Sequence, residues 1–329
     1  MLRGLKSRVK SVQDIALCGT LASLLEVAGW PKPGNVHRTS SLEPKFERFL
    51  CGALLLYEPL LQAAAAGYKA GIKGRAGSWR LGTLLSEVYK KGSSWHKEGN
   101  TNLGTAMLLL PLSAGAGLLL GSRGLVDLRR LRAAVTTMLQ ATTVEDAVEL
   151  YRLLRRIGKG WLGRVSGVSA PDVFDTNAYA KIKRLNYTFL DLMKASSDWD
   201  AVAYELANSM PLTFGLAYPT LLKYHRESGN INVATVNTFL TILAQKADTF
   251  IIRKLKVAGV EDAEERAKKI SEMANSALLL GGAATREGRE ALFRMDEELK
   301  RGKGLLNPGS TADIVAAGLM LLLLSGAKI

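Results

Sequence analysis

Apolar positions along this chain recur at intervals of three and four residues, the spacing of one face of an α-helix. Ile15, Leu17, Leu21, Leu24, Leu25 and Ala28 keep that spacing and Gly29 ends it, which predicts a helix over 5–29. A second helix is expected over 44–70, with Phe46, Phe49, Leu50, Leu54 and Leu61 as core and Pro59 as a kink, and a third over 79–91. The stretch 103–120 carries no charge, and Thr101 or Asn102 before it is suited to cap its first turn. Helices follow over 127–140 and 143–157, the second opened by the capping pair Thr143 and Asp146. Residues 158–180 mix Gly, Ser, Pro and Asp without a period and read as a long irregular loop. Beyond it, helices are expected over 181–195, over 199–226 with Asp198 as cap and Pro211 as interruption, over 233–257 started by Asn232, and over 261–280 and 285–301. The closing apolar run opens on Ser310 and Asp313, the same capping pattern again. No stretch alternates with a period of two for long enough to be a strand. The expectation is therefore an all-α fold, a single-domain multi-helix bundle over 1–329.

Composition narrows the partners. A net charge of +14 points to a polyanion: nucleic acid, an anionic membrane or a phosphate-rich small molecule. No basic helix shows the aromatic interleaving of a nucleic-acid binder, so nucleic acid is not expected. The run 103–120 approaches the length of a membrane span, but Gly104, Pro111, Ser113, Gly115 and Gly117 suit a close-packed core helix, and no membrane partner is expected. The N-terminus is basic without the apolar run of a signal peptide. Cys18 and Cys51 are too few for a disulfide framework and no CxxC is present, which fits a cytoplasmic protein. A P-loop, HExxH, a GxSxG elbow and a dinucleotide fingerprint after a strand are all missing.

Three polar stretches interrupt the apolar pattern. Glu26 falls in the last turn of the first helix, where a carboxylate faces the negative end of the dipole at a cost of roughly 0.3–1 kcal/mol. It is either a solvated surface group or one compensated by a cation or metal. The loop 30–38, WPKPGNVHR, is stiffened by two prolines and carries Lys32, Asn35, His37 and Arg38, donors suited to phosphate or ribose. Gly99, Asn100, Thr101 and Asn102 lead into the N-terminus of the uncharged helix, where free N–H groups favour an anion.

Glu26 with PKPGNVH, EGNTNLG and NPGSTAD, together with Asp248-Thr249 and Arg253, resemble in order and character the triphosphoribosyl-dephospho-CoA synthase family. The resemblance runs from about Leu21 to Gly318, and the combination of loops is specific where no single one is. Two departures stand out: the family's NTHKG is Asn100-Thr101-Asn102-Leu103-Gly104 here, and its GAH-x-DM segment has no counterpart in RTSSLEPKFERF. The family is all-α, so the resemblance implies a site formed by loops at helix ends. It also implies transfer of the triphosphoribosyl group of ATP to the 2′-hydroxyl of dephospho-CoA, with release of adenine and with Mg²⁺. The product in the family is the precursor of an acyl-carrier prosthetic group. On this chain the resemblance suggests Glu26 and His37 as catalytic. Lys32, Gly34, Asn35, Arg38, Gly99, Asn100, Thr101, Asn102 and Arg253 would bind phosphate or ribose, and Asp248 and Asp313 would hold the metal. The partners it implies are ATP and a dephospho-CoA-like acceptor, with a homo-oligomer as an open possibility. Alternatives from other classes are a nucleotide-binding protein without turnover, a basic helical nucleic-acid binder and a small membrane protein.

Overall fold

The computed structural model of the chain describes residues 9–40, 45–95, 102–158 and 169–329. Those residues form helices and loops and, among them, no strand. The first helix, α1 (Val12–Ala28), starts on a capping box between Ser11 and Asp14 and stops at Gly29. The expected second helix is two: α2 (Phe46–Leu55) and α3 (Tyr57–Lys73) break at Leu56. Pro59 does not kink a helix but sits in the first turn of α3, where its missing N–H would have no partner anyway. Next come α4 (Leu81–Trp95), α5 (Leu103–Arg123), α6 (Leu128–Gln140) and α7 (Val144–Ile157), the last opened by the Thr143/Asp146 box as expected.

The 158–180 loop lies partly outside the described residues and ends where α8 (Ala178–Arg184) begins. A second box, Thr188 with Asp191, starts α9 (Phe189–Ser196), so the expected 181–195 helix is also two. Asp200, not Asp198, caps α10 (Ala201–Ala207), and after Pro211 a π-helical turn over Thr213–Ala217 leads into α11 (Tyr218–Ser228). Asn230 caps α12 (Ile231–Gln245), and Asp248 caps α13 (Thr249–Val257), which divides the expected 233–257 helix. The chain ends with α14 (Ala263–Leu279), α15 (Arg286–Lys300) and α16 (Gly309–Leu324).

The core is built around α5 and α16, whose side chains are buried along most of their length. Apolar residues on all sides of a helix require neighbours on all sides. By length and composition Leu103–Arg123 could cross a membrane, yet 83% of its apolar window is buried inside the protein, as in a core helix. Its closest neighbour is α3. A Cβ on Gly67 would fall 1.9 Å from the carbonyl oxygen of Ala114, and one on Gly121 would fall 2.2 Å from that of Tyr68. Only glycine lets the two backbones touch. Since Gly67 meets Ala114 and Gly71 meets Leu118, the two helices run parallel, with α4 as the return. The N-terminus of α5 meets that of α16, Thr105 donating to Asp313 at 2.6 Å, and there the polar loops gather.

Candidate active site

The loop after α1 folds back on the helix end. Lys32, completely buried, places its ammonium on Glu26 Oε1, and Glu26 is itself only 6% exposed. Of the alternatives left open for Glu26, the structure has a compensating cation, and it lies in the same loop, six residues on. Burial pushes the Glu26 carboxyl up, and the charge and hydrogen bond of Lys32 pull it back only in part. Gly34, at φ +70°, sits in the left-handed region and turns its N–H to Asp296 Oδ1 at 3.0 Å. His37 Nε2 lies 3.3 Å from Asp296 Oδ2 and Lys300 Nζ 2.6 Å from the same oxygen. Asn35 donates its amide to the carbonyl of Pro308 at 3.1 Å, tying this loop to the one before α16. Asp296 on α15 is therefore the anchor of the loop, and nothing in the local sequence announced it.

Three helices begin close together at this end. Asp248 caps α13 through Phe250 N at 2.9 Å and Ile251 N at 3.1 Å. Its other oxygen takes the Thr311 N–H at 2.8 Å and the Thr311 hydroxyl at 2.7 Å, so one carboxylate caps α13 and α16 together. The capping box expected at Ser310 and Asp313 does not form: Pro308 is the N-cap and α16 starts at Gly309, two residues before the expected start at Thr311, so Ser310 lies inside the first turn and Asp248 takes the Thr311 N–H. Asp313 is released to face α5. Its Oδ1 accepts the Thr105 hydroxyl at 2.6 Å, and Gly104 leaves room for Oδ2, which a Cβ there would meet at 2.0 Å. Burial drives the Asp313 carboxyl up to about 8 against the Thr105 hydrogen bond, and the charges of Glu26, Asp248 and Asp200 add to the rise.

These groups line a cavity of about 490 Å³, a size suited to a small-molecule substrate. Glu26, Asn35, Asn102, Thr105 and Asp313 form its polar end. Trp199, Asp200, Arg253, Lys254 and Asn307 also line it, and apolar side chains such as Met107, Leu154 and Phe250 complete the lining. Arg253 pairs with Asp200 at 2.6 Å. Lys254 is 7% exposed and is drawn down to about 7 by burial first, with Asp248 opposing and Arg253 adding to the fall.

A family profile described as CitG, ATP:dephospho-CoA triphosphoribosyl transferase, matches residues 12–328 of this chain. The chain belongs to this family. A curated relative, 2-(5''-triphosphoribosyl)-3'-dephosphocoenzyme-A synthase of Klebsiella pneumoniae, is 30% identical over 100 residues. That alignment spans 30% of this chain and 30% of the relative. The fold is similar to that of a protein from Archaeoglobus fulgidus assigned by name to triphosphoribosyl-dephospho-CoA synthase. The likeness covers 86% of this chain and 100% of that one, at a TM-score of 0.57 and 21% identity, and it speaks for the fold.

Within the triphosphoribosyl transferase fold, the sequence-derived residues divide into two groups. Glu26, Asn35, Asn102, Arg253 and Asp313 come together around the cavity. Asn102 holds the N-cap position of α5, but its side chain makes no capping bond. Lys32, Gly34, His37 and Asp248 stand behind the lining and hold it in place, Lys32 through Glu26, Gly34 and His37 through Asp296, and Asp248 through Thr311. Arg38 is exposed and, among the described residues, donates to the Ala28 carbonyl at 3.4 Å. Gly99, Asn100 and Thr101 lie outside the described residues. Sequence reasoning missed Asp296, Lys254, Asp200 and Trp199. Lys254 left one trace, a cation beside Arg253 in a turn that also carries Lys256, on a helix that opens apolar.

Proposed function

We propose that this protein transfers the 5-triphosphoribosyl group of ATP to the 2′-hydroxyl of 3′-dephospho-CoA and releases adenine. The observation that carries the proposal is Glu26, a buried carboxylate opening onto a substrate-sized cavity with one oxygen held by Lys32 and the other accepting no hydrogen bond from the described residues. In the transfer, the bond from adenine to ribose C1′ breaks, and the acceptor oxygen bonds C1′. Glu26 takes the proton of the attacking hydroxyl, and its charge steadies the positive character that builds on the sugar. The base leaves with the electron pair of the broken bond and is protonated, so the net proton movement is from the acceptor hydroxyl to adenine. Lys32 fixes the carboxylate in one orientation and favours its charged form against the effect of burial. The 30–38 loop and the starts of α5 and α16 enclose the reacting centre and keep water from competing with the acceptor.

Mg²⁺ is expected with the triphosphate. Among the described residues no cluster of three His, Cys, Asp or Glu forms a metal cage. Of the two carboxylates expected to hold the ion, Asp248 is committed to four hydrogen bonds and only Asp313 lines the cavity. That fits Mg²⁺, which keeps most of its shell from water and phosphate oxygens. Asp313 would hold the ion as it arrives with the nucleotide, and the ion would offset the triphosphate charge.

The test is incubation of the protein with ATP, Mg²⁺ and dephospho-CoA, followed by chromatography for free adenine and mass spectrometry of the CoA compound. The expected result is adenine in step with a mass gain of one triphosphoribosyl group. Hydrolysis of ATP to ADP without free adenine would rule the reading out.

A further inference from the structure

One wall of the cavity holds polar atoms that the fold leaves unpaired. Trp199 Nε1, Arg253 Nε and Asn307 Oδ1 are each buried without a hydrogen-bond partner, and all three residues line the cavity. Native proteins leave few such atoms, and each needs an explanation. These three belong to one continuous surface. Trp199 is next to Asp200, whose Oδ2 accepts Arg253 Nη1 at 2.6 Å. Arg253 is next to Lys254, whose ammonium donates to the carbonyls of Gly304 at 2.6 Å and Asn307 at 3.2 Å. Both cations stack on Phe250, with its ring centre 5.2 Å from the Arg253 guanidinium carbon and 4.2 Å from Lys254 Nζ.

The surface offers the indole N–H, the guanidinium Nε–H and the third hydrogen of an ammonium. Asn307 presents a further donor if its amide turns over, an assignment that the hydrogen-bond network decides. The Arg253 guanidinium, the Lys254 amine that an anion would charge, and several further donors suit a ligand rich in negatively charged oxygens, with Asp200 paired to Arg253 and Asp248 acting on Lys254. A nucleobase, which needs paired donors and acceptors in one plane, fits poorly.

We infer that Trp199, Arg253, Lys254 and Asn307 form the subsite for the polyphosphate chain of the nucleotide. The identity of that ligand rests on the proposed transfer reaction; the anion site itself does not. A polyanion arriving beside Lys254 favours its charged form. Burial keeps that group near neutral, with Asp248 and Arg253 the charged side chains acting on it, so binding above neutral pH takes up a proton.

The experiment is titration calorimetry of the full chain with inorganic tripolyphosphate, with adenosine as the control. Wild type is expected to bind tripolyphosphate, and Trp199→Phe, Arg253→Gln and Lys254→Met to weaken it by at least about tenfold each, the scale of one charge-assisted hydrogen bond. Lys254→Arg should recover part of the loss. Heats measured near pH 8 in buffers of low and high ionisation enthalpy should differ for wild type and agree for Lys254→Met, since the proton taken up is the buffer's. Should Arg253→Gln fail to fold for want of its Asp200 pair, Lys254→Met and the proton uptake decide. Tripolyphosphate affinity unchanged in Lys254→Met, or displacement by adenosine as easily as by ATP, overturns the subsite. Adenine release separates the two readings: normal tripolyphosphate binding without adenine release overturns the transfer and leaves the subsite standing.

Discussion

The Glu26–Lys32 pair makes the most exposed prediction, because its two charges have so little water to fall back on. Lys32 is fully buried and Glu26 nearly so, at the end of α1 where the helix dipole already opposes a carboxylate. Lys32→Met keeps the aliphatic stem and removes the charge. The orphaned carboxylate then costs about 3–5 kcal/mol, the range for breaking one side of a buried ion pair. Part of that cost is avoidable, since Glu26 can neutralise itself by taking a proton. Its folded pKa is already above the ordinary 4.5 through burial, and without Lys32 it rises further. A carboxyl with a raised folded pKa contributes stability below its unfolded pKa and loses it as pH climbs through the folded one. Lys32→Met should therefore melt close to wild type near pH 4 and fall behind by on the order of 10 °C near pH 8. Circular dichroism melts across that range read the difference. Adding Glu26→Gln should restore most of the loss, because a pair replaced by two neutral groups is often close to neutral in stability. A Lys32→Met variant that tracks wild type at every pH would mean that Glu26 has other solvation, and the buried-pair account would be wrong.

Four further outcomes follow from the same geometry. Glu26→Gln should lower kcat and kcat/KM together by about 10²–10⁴ while tripolyphosphate binding, read by calorimetry, survives; turnover at the wild-type rate would place the base elsewhere. Asp248→Ala removes caps from two helices at once and should cost about 2–4 kcal/mol in denaturant melts, twice the usual single-cap penalty; a loss no larger than one cap would show that Thr311 finds another acceptor. Gly104→Ala sets a Cβ 2.0 Å from Asp313 Oδ2, so the carboxylate must leave its place. The Mg²⁺-dependent part of ATP thermal stabilisation should vanish in that variant, and its persistence would remove Asp313 from the metal's surroundings. Asp296 is pushed up by burial, but its bonds from His37, Lys300 and Gly34 hold its carboxyl below the ordinary 3.8. That contribution is present above the unfolded pKa and fades as pH falls through the folded one, so Asp296→Asn should flatten the wild-type loss of stability in acid, as measured by melts below pH 3.8.

How far the sequence could be read depends on the distance between partners. Helices whose caps are internal were legible: Thr143 with Asp146 opens α7 where the pattern put it, and Gly29 ends α1. The Glu26–Lys32 pair is also local, six residues apart, yet the unfavourable dipole at Glu26 leaves a solvated group and a compensating cation or metal both open, and Lys32 is expected from the sequence to bind phosphate or ribose. Long expected helices divided where caps went unread, at Thr188 and at Asp248, because a periodic apolar pattern continues smoothly across a break that both halves bury on the same side. Gly34 with Asp296, 262 residues apart, and Thr105 with Asp313, 208 apart, carry no local signal at all.

Asp313 shows why the misread positions matter for function. By spacing alone, Ser310 and Asp313 make a capping box, and that rule succeeds elsewhere in this chain. It fails here because α16 starts at Gly309 with Pro308 as its N-cap, which puts Ser310 inside the helix, while Asp248 caps the first turn through Thr311. A carboxylate displaced from routine capping and still kept in the interior has no structural need to be charged, and burial makes it costly. It persists beside Gly104, the one residue type that leaves its oxygen room, and opens onto the cavity. Local rules in a folded protein are broken at a cost, and the cost is tolerated where the site needs the group. The broken capping box is therefore an argument for Asp313 as a site residue, independent of any resemblance. The same reasoning applies to Glu26, a buried carboxylate at the wrong end of its helix.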